Sequence, residues 1–480
     1  MTVKKRGGGR KVTQRRKNRR GFHAPTRSWR LSVLLLAWAL PGAGWAFDVN
    51  DMDWSLKGDA FVKATRDLKR DSDLEARQAL DSRARLENTL RFGDSGVMAA
   101  LHGEARYEAF DMREGGNWDF LLREAYAEFR RETFNIGLGR QIVTWGKLDD
   151  MMILDQLSPQ DFRWFAFYTK QERKIPVFML KTGYYGPRYS IEGVLIPVFT
   201  PSEIDYFGTD WALFGRMKET VAGGPWPEPV KQMVGSIDID DRTAANTAEG
   251  GVRLRATEGR TDYALYYLSY YNRLPALREY TPAGRLTKQF LFMPGPDTLS
   301  ALAAANPTAR DLTLDAGYER VHAVGVDFET VMGSYGVRGE CGFFSDLPFT
   351  RASDLAYVRK KTLAAGIGVD YTTFNNLYWN VQVVANKILN TEDLVETESF
   401  SQEIVLNVNR DFMMGDLTLD FSGIYQITEG GWMARPEMAY TMRAGLDLIC
   451  GLLLLGGDET SMFGRYKHKD LIYTQLRYRF

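Results

Sequence analysis

The sequence predicts an all-β fold, a transmembrane antiparallel β-barrel of about 18 strands (16 is the alternative) set in a Gram-negative outer membrane. Three observations predict it. Apolar and polar residues alternate along most of the chain after Trp54. Short and long joints alternate between those segments. The chain ends on an amphipathic strand whose last residue is Phe480.

The first 46 residues are expected to be a cleaved signal peptide, leaving 47–480 as the barrel. Residues 1–30 carry twelve Lys and Arg and no acid. The apolar run Leu31 to Leu40 follows, then Pro41-Gly42-Ala43-Gly44-Trp45-Ala46. A basic start, a short apolar core and small residues before the cut are the marks of export. The ten residues from Leu31 to Leu40, nine of them apolar, are too few for a spanning helix, which needs about 20. The pair Arg19-Arg20 resembles a twin-arginine signal only faintly, and a barrel must cross the inner membrane unfolded. Without the leader, 49 basic residues face 61 acidic ones, a net charge of −12. Nucleic acid is therefore not an expected partner.

Period-two alternation places one face of a strand in an apolar medium. In the final strand Ile472, Thr474, Leu476, Tyr478 and Phe480 share one face, and Tyr473, Gln475, Arg477 and Arg479 the other. Tyr478 and Phe480 are the expected assembly signal. Leu417, Leu419 and Phe421 alternate with Thr418, Asp420 and Ser422 in the same way. Trp379, Val381, Val383 and Ala385 alternate with Asn380, Gln382 and Asn386. The apolar face is assigned to lipid and the polar face to the lumen.

Short joints are expected at 93–96, 131–133, 186–188, 258–261, 332–335, 374–376, 413–416 and 444–445. Long joints are expected at 66–80, 111–117, 146–173, 200–249, 273–314, 346–359, 391–398, 428–435 and 457–469. Nine long and eight short joints separate eighteen strands, with both ends of the chain periplasmic. On this map Cys341 and Cys450 fall on distant strands and on the lipid face. A disulfide needs Cα atoms within about 7 Å, so both are expected to be free.

The early strands carry a load of lumen charge. Arg83, Arg85, Glu87 and Arg91 share one face, as do Glu104, Arg106 and Glu108. The two readings are an ion-pair ladder that stiffens the wall and a lining that sorts solutes by charge. Gly93-Asp94-Ser95-Gly96 matches the residues around a trypsin-like nucleophile, but it also makes an ordinary turn. No suitable histidine accompanies it, and no Cys/His cluster or phosphate loop stands elsewhere. No enzyme activity and no cofactor are expected.

The joint at 146–173 combines Asp149 and Asp150 with Asp161, Arg163 and the aromatics Phe162, Trp164, Phe165, Phe167 and Tyr168. Ser158 as N-cap, Pro159 in the first turn and Asp161 near the helix dipole predict a short helix here. So many rings would not sit in bulk water, so the segment is expected to fold inward. Arg83, Arg85, Glu104, Arg106, Asp149, Asp150, Asp161 and Arg163 are the candidate pore residues.

The run from Gly139 to Gly146 (GRQIVTWG), followed by Ile153 to Asp161 (ILDQLSPQD) and Lys174-Ile175-Pro176, resembles proteobacterial outer-membrane proteins of an uncharacterised family, domain of unknown function 1302. The resemblance implies a barrel of unassigned substrate and supplies no catalytic residue. The chain lacks the Cys-x-x-Cys of electron-conduit barrels. The expected function is a channel or transporter for an unknown small solute, its lumen narrowed by the 146–173 joint. The alternative is a scaffold that docks an efflux or electron-transfer partner. Expected partners are outer-membrane lipid, lipopolysaccharide and the barrel assembly machinery.

Overall fold

The computed structural model describes residues 52–69, 73–165, 167–241, 247–351, 355–390 and 398–480; the expected leader, 1–46, lies outside them. The first barrel strands are β1 (Met52–Asp67), β2 (Gln78–Phe92), β3 (Val97–Asp111), β4 (Gly115–Arg130), β5 (Phe134–Gln141), β6 (Val177–Tyr185) and β7 (Tyr189–Ile196). After the short strand β8 (Asp238–Asp240) come β9 (Glu249–Glu258) and β10 (Thr261–Tyr271). Two more short strands, β11 (Ala276–Glu279) and β12 (Thr313–Gly317), precede β13 (Arg320–Met332), β14 (Tyr335–Thr350), β15 (Tyr357–Thr372) and β16 (Leu377–Ile388). The ring ends with β17 (Phe400–Phe412), β18 (Leu417–Gln426), β19 (Trp432–Arg443), β20 (Leu446–Gly456) and β21 (Leu471–Arg479).

Eighteen of these strands form one antiparallel sheet in which each pairs with its chain neighbours and β1 pairs with β21. Closure leaves no edge, which a bilayer demands because it offers the backbone no hydrogen bonds. The seam runs from Asp67↔Leu471 to Asp59↔Arg479. It is completed by Gly58 and Phe480, whose backbone groups exchange two hydrogen bonds of 2.9 Å each.

The outward positions are apolar and exposed, among them Leu86, Ile136, Leu138, Val324, Ile367 and Leu476. This is the lipid-facing band. Cys341 and Cys450 are free cysteines, as expected. Short and long joints alternate as predicted, with one exception. The joint expected at 111–117 shrinks to 112–114, because β3 and β4 stay paired out to Asp111↔Gly115 and Gly115 takes a positive φ of 81°.

Two long joints carry structure that the alternation did not predict. The β7–β9 joint holds helices α1 (Met217–Gly223) and α2 (Glu228–Gly235), and the β10–β13 joint holds α3 (Gly284–Phe292) and α4 (Pro296–Ala304). Strands β8, β11 and β12 form a small mixed sheet. Both joints contribute to one apolar core, including Val234, Ile239, Leu291, Leu302 and Leu314. This cap stands at the end that bears the long joints, the extracellular end of such barrels.

The seam yields a prediction. A Cβ at Gly58 would stand 2.3 Å from the Phe480 ring and 2.9 Å from the Arg85 carbonyl oxygen. Gly58→Val and deletion of Phe480 are each expected to lower the yield of heat-modifiable barrel on gels. Normal yields for both would show that the seam tolerates the loss of its last pair.

Candidate functional site

The chain leaves β5 at Gln141, enters the lumen and returns to the wall at Val177. Its first half lies on the inner face of β6 to β16. Val143, Trp145, Leu148, Ile153, Leu154 and Leu157 pack there against Met179, Ile196, Tyr266, Leu268, Ala323 and Val384. The wall at this place departs from the polar lumen that the alternation implies. Glycine makes room for the loop: a Cβ at Gly325 would meet Leu154 at 2.2 Å, and one at Gly366 would meet Leu148 at 2.6 Å.

The second half lies on the opposite wall. Trp164, Phe167 and Tyr168 join Ala79, Met433, Ile449, Leu453 and Tyr473 in a separate apolar cluster. The rings of Phe167 and Tyr473 meet edge to face at 5.1 Å. Lys63 of β1 sits over the rings of Phe167 and Tyr168 at 4.5 and 4.2 Å. The joint therefore spans the lumen and holds both sides.

Carboxylates pin each half. Glu340 of β14 is buried and accepts hydrogen bonds from the backbone N–H groups of Lys147, Leu148, Ile153 and Leu154 at 2.5 to 3.0 Å. Gly146, with φ 99°, leaves the space in which that carboxylate sits. Asp155 accepts from the backbone N–H of Trp145 at 3.3 Å and pairs with Lys174 at 2.7 Å and Lys170 at 3.5 Å. Burial pushes the ammonium groups of Lys170 and Lys174 below their ordinary pKa, although Asp155 opposes this.

The candidate residues fall into two groups on opposite walls. Arg85, Glu104 and Arg106 form a chain of ion pairs, and Arg106 continues to Asp161 of the loop at 3.1 Å. Arg163 bonds Asp161 at 2.6 Å and Glu108 at 3.0 Å. Arg83 pairs with Asp81, whose other partner is the hydroxyl of Tyr168. Burial alone would raise the pKa of Asp161, but the hydrogen bonds and charge of Arg163, with Arg106 behind, outweigh it and hold the carboxyl at about 2.

Asp149 and Asp150 belong to the other wall. Asp149 accepts from Arg338 at 2.9 Å and from the Gln382 amide at 3.1 Å, and Asp150 accepts from the Asn407 amide at 2.7 Å. Burial raises the Asp149 pKa against the pull of Arg338, and Asp150 and Asp370 raise it further. Asp149 and Asp150 are thus not brought together with Arg163.

The expected helix at Ser158 does not form. The Ser158 hydroxyl donates to the Val143 carbonyl at 3.0 Å and accepts from the Val143 N–H at 3.1 Å, which ties the loop's exit to its entry. Asp161 is spent on arginine rather than on a helix dipole. Tight turns take the place of the helix, with Phe165 N–H bonded to the Phe162 carbonyl and Phe167 N–H to the Trp164 carbonyl. A helix would send those five rings to fewer directions than the walls require. One helical turn appears later, at Lys170–Arg173, in a capping box made by Thr169 and Glu172.

Other sequence candidates have structural places. His102 lies 3.2 Å from the Glu124 carboxylate. Ser95 sits in the β2–β3 turn, where its hydroxyl donates to the Phe92 carbonyl and accepts from the Val97 N–H. Sequence reasoning missed Glu340, Arg338, Asp155 and Lys174. The signal available for the first two was a charged residue inside a strand.

The cap reaches the loop. The rings of Trp211 and Phe165 stack at 6.1 Å. Arg273 donates to the Leu157 and Thr200 carbonyls at 2.6 and 3.0 Å and pairs with Glu249 at 2.9 Å. Across the mouth, Asp210 accepts from the Ala76 N–H at 2.8 Å and Arg216 pairs with Glu114 at 2.9 Å.

A family model described as a protein of unknown function, DUF1302, matches residues 46–447. No curated protein matches the chain. Solved structures of low similarity include Salmonella typhi OmpF in complex with daunomycin, at 10% identity, a TM-score of 0.44, and coverage of 90% of this chain and 98% of that one. Pseudomonas aeruginosa OccK2 in complex with glucuronate matches at 9% identity and a TM-score of 0.48, covering 89% and 98%. The outer membrane channel DcaP of Acinetobacter baumannii matches at 11% and 0.41, covering 92% and 100%. At these scores the likeness decides neither register nor function.

Two predictions follow from the anchors. Glu340→Ala leaves four N–H groups without their acceptor, each costing about 1–3 kcal/mol where water does not replace it. Residues 147–154 are expected to become susceptible to limited proteolysis while the barrel stays folded; an unchanged cleavage pattern would show that the apolar bed alone holds the loop. Asp161 has its folded pKa depressed from 3.8 to about 2. Its contribution of about 2 kcal/mol is present above pH 3.8 and lost as pH falls through 2. Trp164 fluorescence is expected to report loosening of the loop in that window, and the change is expected to vanish in Asp161→Asn.

Proposed function

Because the chain belongs to the DUF1302 family, whose description assigns no activity, we propose from the barrel itself that it is an outer-membrane channel for small solutes, its lumen narrowed by the 142–176 loop. One observation carries the reading: the loop spans the lumen and is anchored by charge and apolar contact on both walls. A ring of eighteen strands is wide enough for an aqueous path unless something occupies it. What passes must do so beside the loop.

The polar groups there are of both signs. Arg85, Arg106 and Arg163, paired with Glu104, Glu108 and Asp161, mark one wall, and Asp149 and Asp150, the first paired with Arg338, mark the other side of the loop. Charged groups lining the path favour polar or charged solutes over apolar ones. The docking-scaffold alternative has no observation in its favour among the described residues.

Planar-bilayer recording tests the reading. Deletion of residues 148–170 is expected to raise single-channel conductance, and Arg163→Glu to shift selectivity toward cations. A folded barrel with the same conductance and selectivity in both variants would place the solute path elsewhere or deny that one exists.

A further inference from the structure

The outward face of β13 to β16 is not uniformly apolar. Val321, Ala323 and Gly325 of β13 face inward, the first two in the apolar bed and the third against Leu154. The alternate positions Arg320, His322, Val324 and Val326 therefore face outward. On β15 the inward residues are Thr362, Ala364 and Gly366, which sets Lys361, Leu363 and Ile367 outward. On β16 Val384 is inward, which sets Lys387 and Val383 outward.

Register brings the basic groups within two residues of one level. His322 N–H bonds the Ser345 hydroxyl of β14, whose neighbour Phe344 pairs with Thr362. The Lys361 carbonyl accepts from Leu389 N–H, one residue beyond the Thr362↔Ile388 pair. Lys387 lies opposite Leu363 on the same face. His322, Lys361 and Lys387 are exposed. Arg320, two residues along β13 from His322, donates to the Ser269 hydroxyl at 2.9 Å and the Ala248 carbonyl at 2.7 Å on the β10 side. Among the described residues, the outward positions of these four strands carry one acid, Asp346, in the β14 bulge that faces Lys361.

The depth of this patch can be reckoned from the other end. Tyr335, Tyr371 and Trp379 cluster outward near the short turns, with the Tyr335 and Tyr371 rings 4.8 Å apart. Such rings mark the inner interface. Lys361 is ten residues from Tyr371 along β15. That is about 34 Å of strand at roughly 3.4 Å per residue. At a tilt of about 40° it spans about 25 Å, the height of the apolar band. The basic residues thus lie where the apolar surface ends, at the headgroups of the outer leaflet.

We propose that His322, Lys361 and Lys387, with Arg320, form a binding site for a phosphorylated glycolipid of the outer leaflet, its acyl chains lying on Val324, Leu363 and Val383. Charge complementarity commits the site to this occupant. Residues 47–480 bear a net charge of −12, while this face presents three basic residues to one acid, so it attracts an anionic headgroup against the sign of the whole. Lysine supplies point charges that suit phosphate, and their stems lie along apolar surface.

The test uses the full barrel in nonionic detergent, with the midpoint of heat modification as readout. Bisphosphorylated lipid A is expected to raise the midpoint, monophosphorylated lipid A to raise it less, and phosphatidylcholine to leave it in place. Lys361→Gln with Lys387→Gln is expected to abolish the rise while the barrel still folds. Arg66→Glu, an exposed basic residue on β1, is expected to keep it. An equal rise with phosphatidylcholine, or an unaltered rise in the double variant, would overturn the proposal. A rise produced by inorganic phosphate alone would do so too, because it assigns the site to a free anion. Native mass spectrometry of the wild-type barrel gives a second reading that needs no variant: lipid A retained over phosphatidylcholine supports the site, and equal retention overturns it.

Discussion

Backbone closure is the constraint on which the structure depends. A bilayer offers no partner to an unpaired N–H or C=O, so the sheet must end where it began. The meeting of β1 with β21 achieves this, and the last residue takes part in it. Eighteen strands then enclose more space than their own side chains fill. The inner wall must be wet, or it must be covered by another part of the chain.

This protein covers much of it. The 142–176 loop brings its own apolar residues to both walls, and the wall responds in kind with glycine and aliphatic residues where a polar lining is usual. Apolar cover alone would not satisfy the loop's backbone. Glu340 and Asp155 do that work as buried carboxylates, and each is compensated, the first by four N–H groups and the second by two lysines and one N–H. A buried charge without such partners would be strongly destabilising. The same logic explains why the opposite end of the loop alternates sign from Arg85 to Glu104, Arg106, Asp161 and Arg163.

The cap extends the principle beyond the membrane. The β7–β9 and β10–β13 joints bury one common apolar core and carry helices and a small sheet. Trp211 and Arg273 then connect the cap to the loop, so the segments that stand over the lumen and the segment within it share contacts.

The sequence by itself determined the ring. Strand position, number and facing are written in period two, a local pattern that the medium on each side imposes residue by residue. The eight short joints, the free cysteines and the inward course of the 146–173 joint were legible for the same reason. Only tertiary structure decided what the lumen face touches. Strands such as those around Leu268 and Leu453 are apolar on both faces, which is a local trace of the loop's cover, but the trace does not name the partner. The helix expected at Ser158 failed because a favourable cap is worth about 1 kcal/mol, less than the burial of Trp164, Phe167 and Tyr168 against one wall at roughly 1.5–3 kcal/mol each. The pairing of Asp149 with Arg338 and of Asp161 with Arg106 joins residues far apart in the chain. Their distance across the barrel is set by closure, and no local pattern encodes it.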